Sequence, residues 1–449
     1  MISPERAISE DADDAVRIVS GLLRRGDHGE VFRERRTTVA WSASEAGLLH
    51  PAHSEERGTA VRIRRGREAL LIARDGDGPE ALREVVRDAA RRAGGSPFFK
   101  ARPKAASPAP ASEAGEEERT AALAAAIARA FPDPRGLSVS ISIARVRVTR
   151  AVVTSRALVL CGSASRLVST GLVRRADGTR PFAFQSAAPF GTAVEALSRA
   201  LAEAARPVAA APPPAGSTDV VLSPAAASVF WHEVVGHPLE AEGGERRSVL
   251  ARVPNAVVGP PGLFVTADPT RRDLPGGFDC DDEGTPARPV ALLEDGRVTG
   301  LLTDRRTGGA SSNGHGRCPD YRRPPRPRLS NLVVPAGGLP LAALLERCGS
   351  GLHVREISSG SADPESGRFL LVVEAADLVR RGKAGAPVSR FALSGDLLSA
   401  LRHLEAARGE NSLPASGLGL CLKGGDPVPV GGASPAILLR ALAVAGGGS

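Results

Sequence analysis

Two histidines and a glutamate lie within six residues of one another, and this short segment constrains the chain more than any other. Residues 230–240 read Phe-Trp-His-Glu-Val-Val-Gly-His-Pro-Leu-Glu, and they hold His232 and His237, two of only eight histidines. Two imidazoles and an adjacent carboxylate are the layout of a catalytic zinc site, in which the histidines hold the metal and the glutamate handles protons. The segment therefore predicts a metal centre, with Glu233 as its acid–base residue.

The spacing of the two histidines demands an irregular helix. Residues five apart lie roughly 140° apart around a regular α-helix, which is too far to share one metal ion. A π-turn, with its i→i+5 hydrogen bond, would return both side chains to one face. Gly236 is flexible, and Pro238 disfavours helix at the residue before it, so we expect the helix to open at Gly236–His237. Ordinary histidines at a helix end would give the same pattern, so the metal site needs support from elsewhere in the chain.

Composition and charge argue against several other classes of protein. The chain has 449 residues, 42% of them hydrophobic, which is enough for two or three globular domains. Its formal charge is +8. The arginines are scattered, however, and no basic run is interleaved with aromatic residues, so a nucleic-acid partner is not expected. No apolar run is long enough to span a membrane, and the N-terminus has no apolar signal core. Five cysteines without a CxxC pair predict reduced thiols in a cytoplasmic protein.

Residues 1–206 are predicted to form an N-terminal α/β domain. Its helices are expected at 9–25, 79–93, 116–130 and 191–205. Its strands are expected at 30–42, 58–65, 69–73, 137–148, 151–161, 166–174 and 181–188. Alternation over 137–143 slips by one residue near Ala144, which predicts a β-bulge there. The Pro- and Ala-rich stretch at about 100–115 is expected to be a flexible loop.

Residues 207–217 contain three consecutive prolines and are predicted to link the first domain to a second one, residues 218–449. A strand at 218–222 leads into Ser223-Pro224, an N-cap followed by proline in the first turn. The metal motif therefore lies at the far end of a helix from 224 to about 237. Most of the remainder has strand patterns, including a hairpin that turns at Asp295-Gly296. The expected fold class is α+β, with a mainly antiparallel β domain that carries the zinc-binding helix.

An open catalytic zinc site needs a third protein ligand. The downstream residues of a suitable type are Glu240, Glu242, His315, Cys318 and Cys421. Spacing alone does not choose among them.

Four stretches of the second half resemble motifs of one known family, the TldD/PmbA metalloproteases. Trp231–Glu242 resembles the HExxxH signature of that family, and Phe278–Pro286 resembles its acidic DDEG segment. Residues 313–331 resemble its glycine-rich turn and PRxxN element, and Leu420–Val430 resembles its C-terminal cysteine segment. The order of the four motifs is far more specific than HExxxH alone, and together they cover most of residues 218–449. The first half resembles the family more loosely.

The resemblance implies a ligand set and a reaction. Position by position it implies that His232, His237 and Cys421 hold zinc and that Glu233 is the general base of a peptidase. It also implies a peptide or unfolded segment as substrate, bound in extended form. It further implies a dimer, either of this chain or with a paralogous TldE/PmbA-like subunit that lacks the zinc motif. Two departures bear on substrate preference: Glu242 stands where members often have Asp, and Leu-Lys-Gly-Gly follows Cys421 where Gly-Lys-Asp-Gly is more usual.

Several alternatives stay open at this level. The chain could be a non-catalytic scaffold or regulatory partner, although the intact motif argues against it. The basic charge and the family's association with gyrase modulation suggest a nucleic-acid-linked regulator. A structural metal would need a fourth ligand, with Glu242 or His315 the nearest candidates. His315 and Arg317, in the glycine-rich turn, are candidate substrate contacts.

Overall fold

The computed structural model describes residues 28–44, 47–48, 51–65, 68–93, 115–130, 137–154, 158–175, 182–204, 206, 211–242, 248–308, 312–335, 339–406 and 419–445. The predicted helix at 9–25 lies outside these residues, and so does the predicted loop at 100–115 apart from its last residue. None of the helices in the described ranges is long and apolar enough to cross a membrane.

The first half forms a single antiparallel sheet. Its strands are β1 (His28–Ser44), β2 (Gly47–Leu48), β3 (Ala52–Arg65), β4 (Glu68–Asp75), β5 (Leu137–Thr154), β6 (Leu158–Arg175) and β7 (Phe182–Ala188). The sheet order is β4-β3-β1-β5-β6-β7, with β2 paired to β1, and each of these pairings is antiparallel. The antiparallel neighbours β3–β4 and β5–β6 are joined directly and not by crossover helices. The first half is therefore α+β, and the prediction of an α/β first domain is wrong.

The predicted bulge at Ala144 is also wrong. Ala144 pairs in register with Ala40 on one side and Val168 on the other, and the irregularity of β5 lies between Thr149 and Ala151. Residues 144–148 are all half-buried. Because both faces of the strand are partly covered there, apolar side chains fit on either face, and a change of alternation does not require an extra residue.

Three helices pack on one face of this sheet: α1 (Pro79–Ala93), α2 (Glu116–Ala130) and α3 (Phe190–Ala204). Leu82, Val85 and Ala89 recur on one side of α1 and join the buried cluster of the strands. The bounds of all three helices agree with the sequence prediction to within one residue. Elsewhere on the sheet, Phe32 packs against Tyr321 of the second half.

The second half is built from sixteen further strands and three helices in the described residues. The strands are β8 (Gly216–Leu222), β9 (Val265–Ala267), β10 (Val290–Glu294), β11 (Arg297–Val298), β12 (Gly316–Arg317), β13 (Arg326–Pro327), β14 (Asn331–Val333), β15 (Ser350–Asp363), β16 (Arg368–Arg380), β17 (Lys383–Val388), β18 (Phe391–Asp396), β19 (Leu404–Ala406), β20 (Leu420–Cys421), β21 (Val428–Pro429), β22 (Gly431–Ala433) and β23 (Ile437–Ala445). The helices are α4 (Pro224–Trp231), α5 (Leu341–Cys348) and α6 (Leu397–Arg402).

The larger sheet of this half has the order β15-β8-β23-β18-β16-β17, and a further pairing of β15 with β16 closes it on itself. All its neighbours are antiparallel except β8 and β15. A second sheet has the order β11-β10-β9-β14-β22. The predicted hairpin joins β10 to β11, and both Asp295 and Gly296 have positive φ, as a type I′ turn requires. The protein is thus mixed α+β with mostly strands, in agreement with the expected class.

Helix α4 lies in the main core of the second half and begins as the sequence predicts. Ser223 caps it by accepting a hydrogen bond from the amide of Ala226, and Pro224 occupies the first turn. Phe230 and Trp231 are fully buried at its other end, and the indole of Trp231 donates to Ser434 over 2.9 Å. Burial on every side fixes the direction in which the chain leaves the helix.

The two halves contact each other through buried charged groups. Arg62 of the first half donates to the backbone oxygen of Asp282 over 2.6 Å, and Arg150 pairs with the Asp282 carboxylate at 2.8 Å.

The division into domains at 207–217 stays a prediction.

The prediction that the cysteines are reduced thiols is wrong for Cys280. Cys280 takes part in a disulfide bond, whereas Cys318, Cys348 and Cys421 are free. A search for CxxC spacing finds only cysteines that are neighbours in sequence, so it gives no information on pairs that the fold brings together.

Candidate metal centre

The chain leaves α4 through a π-turn over His232–Gly236, and the amide of His237 donates to the carbonyl of His232. This is the i→i+5 bond that the histidine spacing predicts. It places the two imidazole rings 4.5 Å apart between centroids, at an angle of 79°. A short 3₁₀ turn over His237–Leu239 follows and ends the helical segment.

Gly236 contributes to this turn through its size. Its φ of −62° and ψ of −66° are within reach of any residue. A Cβ atom at this position, however, would lie 2.5 Å from Cδ1 of Leu329. The glycine is therefore needed for close packing of the π-turn on Leu329, and not for the flexibility that the sequence suggests.

Cys421 completes a cluster with the two histidines. It lies at the end of β20, and its Sγ is 3.5 Å from Nε2 of His237. One ligand atom from each of His232, His237 and Cys421 lies within 4.8 Å of the others, and no other such group of His, Cys, Asp or Glu occurs in the described part of the chain. Of the five candidate third ligands, only Cys421 forms such a cluster with both histidines in the described residues.

The cluster fits a zinc ion. A sulfur and a nitrogen on one tetrahedral zinc, at Zn–S about 2.3 Å and Zn–N about 2.05 Å, are about 3.6 Å apart. The 3.5 Å between Cys421 and His237 agrees with this separation. The His232 side chain interacts with Cys421 as well, and its Nδ1 is buried without a hydrogen-bond partner in the described structure. One thiolate and two imidazoles are a donor set that favours zinc over harder cations.

The electrostatics of the cluster favour the thiolate. Burial alone would raise the pKa of Cys421, but the neighbouring imidazoles of His232 and His237 outweigh it and lower that pKa to about 4. Burial likewise opposes the charge on His237, yet the Glu240 carboxylate and Cys421 raise its pKa to about 10. A thiolate at neutral pH is the form that binds metal.

Glu240 orients His237 from behind the cluster. One of its carboxylate oxygens accepts from Nδ1 of His237 at 3.0 Å, which leaves Nε2 directed at Cys421. The same oxygen accepts from Lys423 at 2.6 Å, and the other accepts from the amide of Leu329 at 2.8 Å. A carboxylate on the free nitrogen of a ligand histidine is a recurrent feature of zinc sites. Burial opposes ionisation of Glu240, but His237 and Lys423 lower its pKa.

The segment that carries Cys421 is braced by a buried arginine. Arg328, which is 1% exposed, donates to the carbonyl of Cys421 at 2.9 Å and to that of Asp426 at 3.1 Å. Sequence reasoning missed both Arg328 and Glu240 as supporting residues. The glutamate three residues after His237 was the available signal, because that spacing brings side chains together in a helical turn.

Glu233 lies beside the cluster on the wall of a cleft of about 750 Å³. The same cleft is lined by His232, His237 and Cys421, by residues 356–362 of β15, and by residues of α3 in the first half. Gly360 of β15 lies directly over Glu233: the three atoms nearest to a Cβ built there all belong to Glu233, the closest at 2.6 Å. The arrangement places a carboxylate and three candidate ligand atoms together at one open cleft.

His315 and Arg317 do not line this cleft. His315 is fully buried, with Nε2 3.2 Å from the Ser330 hydroxyl, and burial together with Arg317 lowers its pKa to about 3. Arg317 is 5% exposed and donates to the carbonyl of Leu329. Because both residues are buried and neither lines the cleft, the geometry gives no support to their role as substrate contacts.

Comparisons with known proteins find relatives that are named metalloproteases. Residues 215–446 match the sequence profile of the PmbA/TldA metallopeptidase C-terminal domain. A metalloprotease TldD homolog from Haemophilus influenzae is 31% identical over 259 residues, which are 57% of this chain and 52% of the relative. A metalloprotease from Methanothermobacter thermautotrophicus is 32% identical over 260 residues, 56% of each chain. The crystal structure of TldE from Thermococcus kodakarensis superimposes with a TM-score of 0.75 at 17% identity, over 98% of this chain and all of that one.

The profile covers more than half of the chain, and the chain therefore belongs to the TldD/PmbA family. The family resemblance seen in the sequence is confirmed. The match to TldE shows the fold alone, because its identity is low. The chain spans about half the length of the curated relatives it matches.

Proposed function

We propose that this chain is a zinc-dependent metallopeptidase that hydrolyses peptides or unfolded protein segments. The observation that carries the proposal is the meeting of His232, His237 and Cys421 within 4.8 Å at the wall of a cleft that also holds Glu233. His232, His237 and Cys421 would hold the zinc, which when bound supplies Lewis acidity and activates water at neutral pH.

We assign the role of general base to Glu233. It follows a ligand histidine directly and lies in the cleft with little exposure, 7%. In the proposed reaction it takes a proton from the attacking water and delivers it to the leaving amine, a role that contributes about 10²- to 10⁴-fold to rate. Glu240 and Arg328 would keep His237 and Cys421 in place while this happens.

Strand β15 supports an extended peptide as substrate. Its residues 356–362 line the cleft, and over this stretch it pairs with β16 on one side. The strand β8 pairs only with Leu352–Val354, so the other edge of the later stretch has no partner strand among the described residues. An extended peptide binds such an edge through its backbone, which gives affinity with little dependence on side chains.

The test compares metal content and peptide cleavage in wild type, Glu233→Gln and Cys421→Ser. We expect about one zinc per chain in wild type and in Glu233→Gln, with activity only in wild type, and neither zinc nor activity in Cys421→Ser. Glu233→Gln with zinc and full activity would exclude Glu233 as the base. Wild type that takes up no zinc after reconstitution would refute the peptidase and favour a scaffold or regulatory subunit.

We further propose a dimer, either of this chain or with a paralogous TldE/PmbA-like subunit, and a cytoplasmic location. The dimer is tested by light scattering, which gives the molar mass of the chain alone and after co-expression with a paralogue. The disulfide at Cys280 is unusual for the cytoplasm. Thiol counting on protein trapped directly from cells therefore tests the second: a persistent disulfide would argue against that location.

A further inference from the structure

Leu422 is a leucine exposed beside the metal cluster. It is 59% exposed, the highest value among the large apolar side chains in the described ranges. It follows Cys421 directly and lines the cleft together with Glu233 and the two histidines. Exposed leucines are common on protein surfaces, but one beside a candidate active site is in a position to contact a substrate.

The residues on each side of Leu422 are fixed by their contacts. Cys421 is directed at His237, and Lys423 donates to Glu240 over 2.6 Å. Leu422 itself begins the 3₁₀ turn Lys423–Gly425, with φ −101° and ψ 37°. These contacts of its two neighbours hold the backbone of Leu422 in place, and its Cα lies about 3.8 Å from that of Cys421, a candidate ligand. A peptide whose carbonyl reaches the centre therefore passes Leu422 within about one residue of the scissile bond.

The charged groups of the cleft are already paired. Outside the metal cluster and Glu233, Arg199 pairs with Glu356 at 3.0 Å, Glu374 with Arg390 at 3.0 Å, and Lys423 with Glu240 and Glu242. A charged substrate side chain would have to compete with these existing pairs. An apolar side chain loses nothing by approaching Leu422, and its contact removes apolar surface from water on both partners.

We propose that Leu422 forms the apolar wall of a specificity subsite, which accepts an apolar side chain next to the scissile bond. The substrate class is thereby narrowed to peptides with a leucine-like residue at that position. This inference rests on the proposed peptidase function, but the binding of peptides tests it separately from cleavage.

The experiment uses four peptides that differ only in the residue next to the cleaved bond, namely Leu, Ser, Glu and Lys. We expect wild type to prefer the Leu peptide. Leu422→Ser should lower kcat/KM for that peptide about tenfold and leave the Ser peptide nearly unchanged, because one apolar contact is worth this much. Leu422→Met, which keeps the volume and apolar character, should retain the preference. Leu370→Ser is the matched control, since Leu370 is 40% exposed on β16 and does not line the cleft.

Dissociation constants for the same peptides are measured in Glu233→Gln and in Glu233→Gln/Leu422→Ser, with zinc content checked in every variant. A preference for the Leu peptide that the second substitution abolishes supports the subsite even if no chain cleaves any peptide, and in that case only the peptidase function fails. The subsite proposal is refuted by any of three results: Leu422→Ser weakens the binding of all four peptides equally, wild type shows no preference for the Leu peptide, or no peptide binds at all.

Discussion

The strongest prediction concerns Gly360, whose lack of a side chain leaves room for Glu233. In Gly360→Ala the added Cβ would lie 2.6 Å from Cγ of Glu233 and 3.0 Å from its Cδ and Oε1. Carbon atoms in contact are about 3.5 to 4.0 Å apart. The carboxylate must therefore move by about 1 Å, or β15 must move away from it.

A displacement of this size changes the rate more than the stability. Misplacing a reacting group by about 1 Å costs on the order of 10²-fold in rate, equal to about 2.7 kcal/mol of activation free energy. We expect kcat/KM of Gly360→Ala to fall about 100-fold. Zinc content should stay the same, because the three atoms nearest to the added methyl group all belong to Glu233 and none to a candidate ligand.

The assay is steady-state cleavage of one peptide, with zinc measured on the same samples. Gly385→Ala on β17 is the control, since a Cβ there meets only the carbonyl of Leu378 at an ordinary 3.8 Å. Both variants insert one methyl group into a strand, so any general effect on the sheet is shared. Gly360→Ala with the activity of wild type, or a loss of activity that follows a loss of zinc, would refute the reasoning.

Four further predictions concern the support of the site and the stability of the chain. Glu240→Gln removes the charge next to His237 and should weaken zinc binding about 10- to 100-fold, measured by competition with a chelator; unchanged affinity would exclude Glu240 as an orienting group. Gly236→Ala places a methyl group 2.5 Å from Leu329 and should lower the free energy of unfolding by about 1–3 kcal/mol in urea melts. Arg328→Met should release the segment that carries Cys421 and reduce zinc content even where the fold persists, as circular dichroism would show. Burial, opposed by hydrogen bonds from Thr285 and Gly316, raises the pKa of Asp281 to about 7. The folded state therefore binds the proton of the Asp281 carboxyl more tightly than the unfolded state does. The free energy of unfolding should fall as pH rises from about 4 to about 7. Asp281→Asn should reduce this fall, which unfolding midpoints measured at pH 5 and 7.5 would show.

Local signals in the sequence predicted the elements that depend on neighbouring residues. The helices α1 and α2, the cap at Ser223 and the turn at Asp295-Gly296 each rest on residues within one or two turns of chain. The π-turn belongs to this group too, because the histidine spacing that reveals it lies within six residues.

Contacts between residues far apart in sequence could not be predicted in this way. Family resemblance points to Cys421 as the third candidate ligand, whereas spacing alone leaves Glu240, Glu242 and two other residues equally open. The contact between Gly360 and Glu233 and the pair of Lys423 with Glu240 depend on how β15 and the Cys421 segment fold back over α4. In each of these two contacts, neither residue by itself indicates which residue it will meet. The same limit explains the disulfide at Cys280, which CxxC spacing could not reveal.

The separation of the candidate ligands along the chain has a consequence for the timing of activity. Cys421 follows His237 by 184 residues. At about 5 to 20 residues per second, a ribosome needs roughly 10 to 40 s to synthesise that interval. During this interval a nascent chain has already exposed His232, Glu233 and His237 but lacks the Cys421 thiolate. It therefore cannot hold zinc through all three candidate ligands. If the proposed function holds, the chain would become an active peptidase only after its own second half has been made and folded, and premature cleavage of the nascent chain and its neighbours would be avoided.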